Sequence, residues 1–233
     1  MITIKTLKGI GNKDICTAFV KAFADYEFSI KSHDVILQMI TRRGFNPDIS
    51  FGAFVNNKIV SFTINGLGIW NGNKTAYDAG TATIKEYRRQ GLAKRIFQES
   101  VPVLKENGIS HYLLEVVKHN DKAVNLYKNQ GFEVTREFDC FVANKRDLKI
   151  SDDKLKVCNI KETDFSELNL VSSYWDFIPA WQNSFESIHR TIDKFKILGA
   201  FIKNELIGYG ISEIDSGDIT QLAVNKNYFT IAL

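Results

Sequence analysis

Proline is nearly missing from this chain, with three residues in 233. An average protein carries about 5%. That excludes Pro-rich linkers and predicts folded structure. Cysteine is as scarce. Cys16, Cys140 and Cys158 are an odd number with no C-x-x-C pair, which argues against a disulfide framework or a zinc site and for a reducing, cytoplasmic setting. The four histidines, His33, His111, His119 and His189, form no H-x-x-x-H pair, so no metal is expected. No run reaches the roughly 18 apolar residues of a membrane span. The opening MITIKTLKGI lacks the apolar core and cleavage site of a signal peptide, so neither membrane nor export is expected. Net charge is only +3, too little to call for nucleic acid.

What the chain does have is periodicity. ITIKTL alternates like a half-buried strand, and residues 13–26 place Ile15, Phe19, Ala22, Phe23 and Tyr26 at helical spacing. A second helix is predicted after Ser32, with Ser-His-Asp as its cap. Three strands are predicted over residues 51–56, 58–70 and 74–84, joined by turns at Asn56-Asn57 and Asn71-Gly72-Asn73. Residues 91–106 read as a helix, with Pro102 inside it open to a kink or an early end. A strand over 109–117, a short helix over 122–129 and a long strand over 132–144 follow, and polar residues 145–156 read as a linker.

The segment beyond that linker resembles an earlier one. GAFVNNKIVSF (52–62) aligns with GAFIKNELIGY (199–209), and ATIKEY (82–87) aligns with AVNKNY (223–228). An internal repeat is the simplest reading. It divides the chain into a complete domain over 1–145 and a partial second copy over 155–233. Phe229 stands in the second copy where Arg88 stands in the first.

Charge and backbone freedom concentrate at YRRQGLAKRIF (87–97). A helix start has unpaired N–H groups and partial positive charge, and so binds anions, phosphates above all. Gly91 lets backbone approach a bulky ligand, Ala93 keeps the first turn narrow, and Arg88, Arg89, Lys94 and Arg95 can reach phosphate oxygens. The stretch is neither a G-x-x-x-x-G-K-[ST] nor a G-x-G-x-x-G loop. Mixed charge at an ordinary surface helix is the plainer alternative.

Arg88-x-x-Gly91-x-Ala93, after a strand ending in TATIKEY, resembles the acetyl-CoA pyrophosphate motif of the GNAT superfamily of N-acetyltransferases. LLEVVKHNDKAVNLYKNQGFEV (113–134) is similar to that family's second motif, with Glu115, Asn120 and Tyr127 at its spacing. Lys85 replaces a frequent proline and Ala93 a commoner glycine. The resemblance implies an α/β fold of the α+β type, a mixed sheet whose central strands splay apart. It also implies acetyl-CoA as co-substrate. Gln90, Gly91, Leu92, Ala93, Lys94 and Arg95 would hold the pyrophosphate through backbone N–H groups, with Arg88 and Arg89 adding charge. Thr81, Ala82 and Thr83 would pair with the pantetheine arm, and Asn120 would contact the cofactor beside the splay.

In that family acetyl passes directly to an amine. The amine, with a pKa near ~10, must lose a proton, and the departing thiolate, pKa roughly 8.5, gains one. Tyr127 is the expected acid. Glu115 is the expected base, with Asp78, Glu86 or a water chain as alternatives. The cysteines lie in neither motif, so an acetyl-cysteine intermediate is not expected. A coenzyme A-binding module without turnover is the rival reading; DNA binding through the four basic residues is a weaker one. Tyr174, Trp175, Phe177, Trp181 and Phe185 either fill the second half's core or line an acceptor pocket. The orphan edge of a half-domain predicts cover by the first domain or, as a homodimer, by a second copy. The acceptor amine is not specified: Asp25, Glu27, Lys31, Arg42 and Arg43 select no substrate class.

Overall fold

The computed structural model describes residues 1–26, 30–147, 158–168 and 171–231. Glu27 and residues 148–157, most of the expected linker, lie outside them. Contacts divide the chain into two compact units, Met1–Gly131 with Ser184–Thr191, and Phe132–Asn183 with Ile192–Leu233.

The first unit is built on a five-stranded sheet in the order β1-β2-β3-β4-β5. Its strands are β1 (Thr3–Thr6), β2 (Phe51–Val55), β3 (Lys58–Trp70), β4 (Asn73–Thr83) and β5 (His111–Leu113). The first three pairings are antiparallel and β4–β5 is parallel. Hairpin β2–β3 turns on Asn56 and Asn57, whose φ of 48° and 61° match the left-handed pair that a two-residue hairpin demands. Asn71 and Gly72, at 49° and 78°, do the same between β3 and β4.

Helices cover both faces. On one, α1 (Asn12–Ala22) buries Ile15, Cys16, Phe19 and Ala22, with Phe19 stacked on Phe62 at 5.8 Å between ring centroids. Helix α2 (His33–Arg42) starts on Ser32, whose hydroxyl accepts from the Val35 N–H. On the other face, α3 (Leu92–Glu106) sets Leu92 and Ile96 against Phe51, Ala53 and Val60. The short α4 (Asp121–Lys128) is capped by the Asn120 side chain. A segment remote in sequence completes this unit: α5 (Phe185–His189) is followed by Arg190, whose guanidinium donates to the carbonyls of Arg42 at 3.2 Å and Leu67 at 3.0 Å. No local pattern announces that contact.

Several sequence expectations need correction. Helix α1 stops at Ala22 rather than Tyr26, where the Phe23 N–H closes on the Phe19 carbonyl. Helix α3 runs through Pro102 to Glu106. Strand β5 covers three residues, not 109–117, and residues 132–144 form no strand. A strand needs a ladder as well as β-formers. Here Arg136 instead donates to the Ile178 and Pro179 carbonyls, at 2.6 and 3.2 Å, and leans over the Phe138 ring.

The second unit carries a four-stranded antiparallel sheet: β6 (Asn159–Glu162), β7 (Phe195–Ile202), β8 (Glu205–Glu213) and β9 (Ile219–Val224). Its registers parallel those of the first sheet. The β2–β3 ladder shifts between Ala53 and Phe54, and the β7–β8 ladder between Ala200 and Phe201. The β3–β4 ladder shifts at Ile64/Asn65, and β8–β9 at Ile211/Ser212. Lys5 sits over Phe54 at 4.7 Å, and Lys161 over Phe201 at 4.5 Å. The aromatic set belongs to the packing of this unit in part: Trp181 is buried, and Trp175 donates to Tyr209, which donates to Gln221. Phe177 is exposed.

Candidate active site

The site is made by a parting of strands. Thr75, Ala76 and Tyr77 of β4 pair with His111, Tyr112 and Leu113 of β5, and there the ladder ends. Strand β4 continues through Asp78 to Thr83 against β3 alone. At the fork β4 also carries an extra residue. Ile64 pairs with Gly80 and Asn65 with Asp78, so Ala79 is bulged. A bulge shifts the two-residue alternation by one. Asp78 and Thr81, three apart, therefore face the same side of the sheet, and Arg43 donates to the bulge carbonyl of Ala79 at 2.8 Å.

That side holds the chemistry. Tyr127 of α4 donates its hydroxyl to Asp78 Oδ2 at 2.7 Å. The Thr81 hydroxyl lies 2.7 Å from the same oxygen and 2.9 Å from the Thr63 hydroxyl. The Gly80 N–H donates to Asp78 Oδ1 at 2.9 Å. A small cleft opens beside them, lined among others by Thr63, Asp78, Thr81, Ala93, Phe97 and Tyr127. Burial pushes the Asp78 carboxyl up from the usual carboxylate range, against the hydrogen bonds from Thr81, Tyr127 and Gly80 and the charge of Arg43. Burial, with the Asp78 charge second, pushes the Tyr127 phenol above its ordinary value. Tyr112 is raised for the same reasons in the same order; its hydroxyl donates to Asn65 Oδ1 at 2.7 Å.

The charged helix start lies at the end of β4. Gly91 is the N-cap of α3 with φ 71° and ψ 13°, no side chain caps the helix, and no acid stands in its first turn. A Cβ built on Gly91 would meet nothing within 4 Å. The amides of the first turn thus face open space with the helix dipole behind them. Arg89 is also left-handed, at φ 64°. Arg89, Gln90 and Lys94 are exposed, while Leu92 and Ala82 are buried and offer only backbone to a ligand.

Arg88 is engaged elsewhere. Its guanidinium forms a two-toothed pair with Asp25, both contacts 2.6 Å, and donates to the carbonyls of Thr83 at 3.0 Å and Ala22 at 2.9 Å. It ties the end of α1 to the end of β4 and so fixes the loop that leads to Gly91. The Arg88 hydrogen bonds hold the Asp25 carboxyl down at about 2. A depressed acid stabilises fully above its unfolded pKa, ~3.9, and less as pH falls toward the folded value. Asp25→Asn is therefore expected to melt slightly below the parent at pH 7, with the gap closing between about pH 4 and 2 in scanning calorimetry. The pair is exposed, so the gap is small and narrows with salt.

Glu115 lies beyond β5, exposed, and accepts the Tyr77 hydroxyl at 3.1 Å. Burial first, and the Glu115 charge second, raise the Tyr77 phenol. Asn120 caps α4 through a 3.3 Å bond from the Ala123 N–H and so orients the helix that carries Tyr127. Sequence reading named Tyr127 and weighed Asp78, but it passed over Thr63, Asn65, Tyr112 and Arg43 as site residues. Only Asp78-x-x-Thr81 carried a local signal, legible once the bulge is known. Among the described residues no group of three His, Cys, Asp or Glu side chains could hold a metal, and no helix is long and apolar enough to cross a membrane.

Comparison with known proteins places this geometry in a class. The profile of the acetyltransferase (GNAT) family matches residues 14–132, just over half of the chain. The protein belongs to the GNAT acetyltransferase family. One relative, N-alpha-acetyltransferase 30 of Schizosaccharomyces pombe, is 33% identical over 87 residues, covering 37% of this chain and 58% of the relative. The match thus spans under two thirds of that relative's length. Among solved structures, a candidate acetyl transferase from Pyrococcus furiosus aligns with a TM-score of 0.52 and 16% identity, over 61% of this chain and all of that one. That likeness is one of fold.

Proposed function

We propose that this protein is an acetyl-CoA-dependent N-acetyltransferase that passes acetyl directly to an amine within a ternary complex. The observation that carries the reading is the fork itself, with Tyr127 at its floor and an uncapped, acid-free helix start at its rim. Acetyl-CoA fits on physical grounds. The left-handed Gly91 leaves the space a diphosphate needs, and β4 past Tyr77 offers an unpaired edge to an extended pantetheine arm. When bound, the co-substrate supplies the acetyl group as a thioester. First-turn amides would hold its phosphates, Thr81–Thr83 backbone its arm, and strand amides at the fork the thioester oxygen, one such donor being worth on the order of 3 kcal/mol. Tyr127 would give the departing sulfur its proton. Glu115, turned by Tyr77, would take a proton from the amine directly or through water.

A peptide α-amine is the acceptor class we favour, because the curated relative is named an N-alpha-acetyltransferase. We further propose that 1–145 is the catalytic domain and 155–233 a second, partial copy of its fold. The shared positions of turns and bulges support this. In that alignment Ile219 stands at the place of Asp78 and Leu222 at that of Thr81, so the copy lacks the acid–hydroxyl pair.

Calorimetry with acetyl-CoA, followed by thiol release with peptides, polyamines and aminoglycosides, tests the reading. One site and thiol release with peptides are expected. Binding without release from any amine would favour the silent coenzyme A module, and no binding would reject both.

A further inference from the structure

The acid proposed above has a difficulty of its own. Tyr127 is mostly buried, and its hydroxyl points at a carboxylate. Giving its proton away alone would leave a tyrosinate beside Asp78, two like charges in a desolvated site. The fold offers a way around this, and resting on the acetyltransferase reading we propose that Asp78 is the positioning residue and proton source behind Tyr127. In the reacting state Asp78 carries a proton and donates it along the 2.7 Å contact to the Tyr127 oxygen, while the Tyr127 O–H turns to the sulfur.

The step balances. As the C–N bond forms and the C–S bond breaks, one proton passes from Tyr127 to sulfur and one from Asp78 to Tyr127, so no tyrosinate accumulates. The nitrogen, having gained a bond, sheds a proton to Glu115, and a proton returned through water restores Asp78. The sum is amine plus thioester giving amide plus thiol.

Three features argue for this beyond the contact. Asp78 is the first β4 residue past the last β4–β5 pair, at the mouth of the fork. The Ala79 bulge turns Asp78 and Thr81 onto one face, so that Oδ2 meets both the Thr81 and Tyr127 hydroxyls while Oδ1 is fixed by the Gly80 N–H. A carboxyl this buried is costly to keep, and an amide could meet the Gly80 N–H without that cost. Its burial favours the protonated form the relay needs. The charged or titratable groups facing the pair are Arg43 beside Asp78, Tyr77 of β4 with Glu115 on its hydroxyl, Tyr112 of β5, and Tyr26 beyond α1. The charge of Arg43 opposes protonation of Asp78 while burial favours it, and the Tyr112 phenol, raised by burial, stays neutral beside the pair.

The test uses the full chain, Asp78→Asn and Asp78→Glu, with acetyl-CoA, a peptide amine and tyrosine labelled with 13C at Cζ. Binding and turnover by the parent come first; their absence rejects the acetyltransferase reading and not the relay in particular. Given both, Asp78→Asn is expected to lower kcat about 30-fold, below the ~10²–10⁴-fold of a general acid lost outright, to change acetyl-CoA affinity less than twofold, and to abolish the alkaline fall of kcat. Asp78→Glu should recover part of the rate and that fall. Without any ligand, the Tyr127 Cζ resonance, assigned with Tyr127→Phe, should ionise at lower pH in Asp78→Asn than in the parent. A merely structural Asp78 would lower melting temperature and leave the kcat–pH profile in place. That result, or parental kcat in Asp78→Asn, overturns the proposal.

Discussion

Tyr127→Phe is expected to lower kcat for thiol release by about 10²–10³-fold, within the range attributed to a positioned acid, while acetyl-CoA affinity stays within about twofold. The substitution keeps the ring and removes one oxygen. Packing of α4 on the sheet, with Leu126 and Tyr127 against the cleft wall, is retained. What disappears is the group that links Asp78 to α4 through a 2.7 Å bond. Asp78 keeps its bonds from Thr81 and the Gly80 N–H, so the carboxyl stays in place. The loss therefore falls on the transition state, where a departing thiolate meets no proton, and much less on the ground state. Equilibrium calorimetry and single-turnover thiol release read the two separately. Equal rates in Tyr127→Phe and parent would remove the tyrosine as acid and leave the thiolate to depart unprotonated, which a leaving group of pKa roughly 8.5 can tolerate in part. A larger loss than in Asp78→Asn is expected, because the relay fails at its first link and not its second.

Much of this fold was legible locally. Asn56-Asn57 and Asn71-Gly72 stand between alternating runs, and both pairs adopt the left-handed turn conformations their side chains tolerate. Ser32 caps α2 as its position before Val35 implied. Helix α3 follows from its apolar spacing, and its interruption by Pro102 does not occur because Leu92, Ile96, Ser100 and Leu104 bury one continuous stripe across the proline. Where the reading failed, the cause was distant. Residues 132–144 alternate like a strand, but they pair with no ladder, and Arg136 turns instead to carbonyls some forty positions on. Strand β5 is cut to three residues by the fork, which is a property of two strands and not of one.

The candidate site divides in the same way. Its motifs could be read because each sits in one continuous stretch. Arg88 was expected to lend charge to phosphate, yet its partner Asp25 is 63 residues away. No spacing rule pairs the two; the end of α1 must first be packed beside the end of β4. The Ala79 bulge was hidden as well, since TAYDAGTAT reads as an ordinary strand. Without the bulge Asp78 would face away from Thr81, and the cluster around Tyr127 would not exist.

Gly91→Trp is expected to weaken acetyl-CoA binding by at least ~1000-fold, equivalent to roughly 4 kcal/mol, and Gly91→Ala separates the two reasons why. At φ 71° any side chain strains the backbone, by about 1–2 kcal/mol for an L-residue in the left-handed region. Alanine bears that strain and little more, because a Cβ there meets no atom within 4 Å. Gly91→Ala should accordingly melt a few degrees below the parent and bind acetyl-CoA only several-fold less tightly. Tryptophan bears the same backbone strain but fills the open space in front of the first-turn amides. Its melting temperature should match that of Gly91→Ala while its binding heat disappears. The pattern matters more than either value. Equal binding losses in the two variants would mean that strain in the loop, and not occupancy of the space before it, governs affinity. Near-parental binding by Gly91→Trp would mean that the diphosphate rests elsewhere, for the ring and the phosphates cannot share the mouth of one helix.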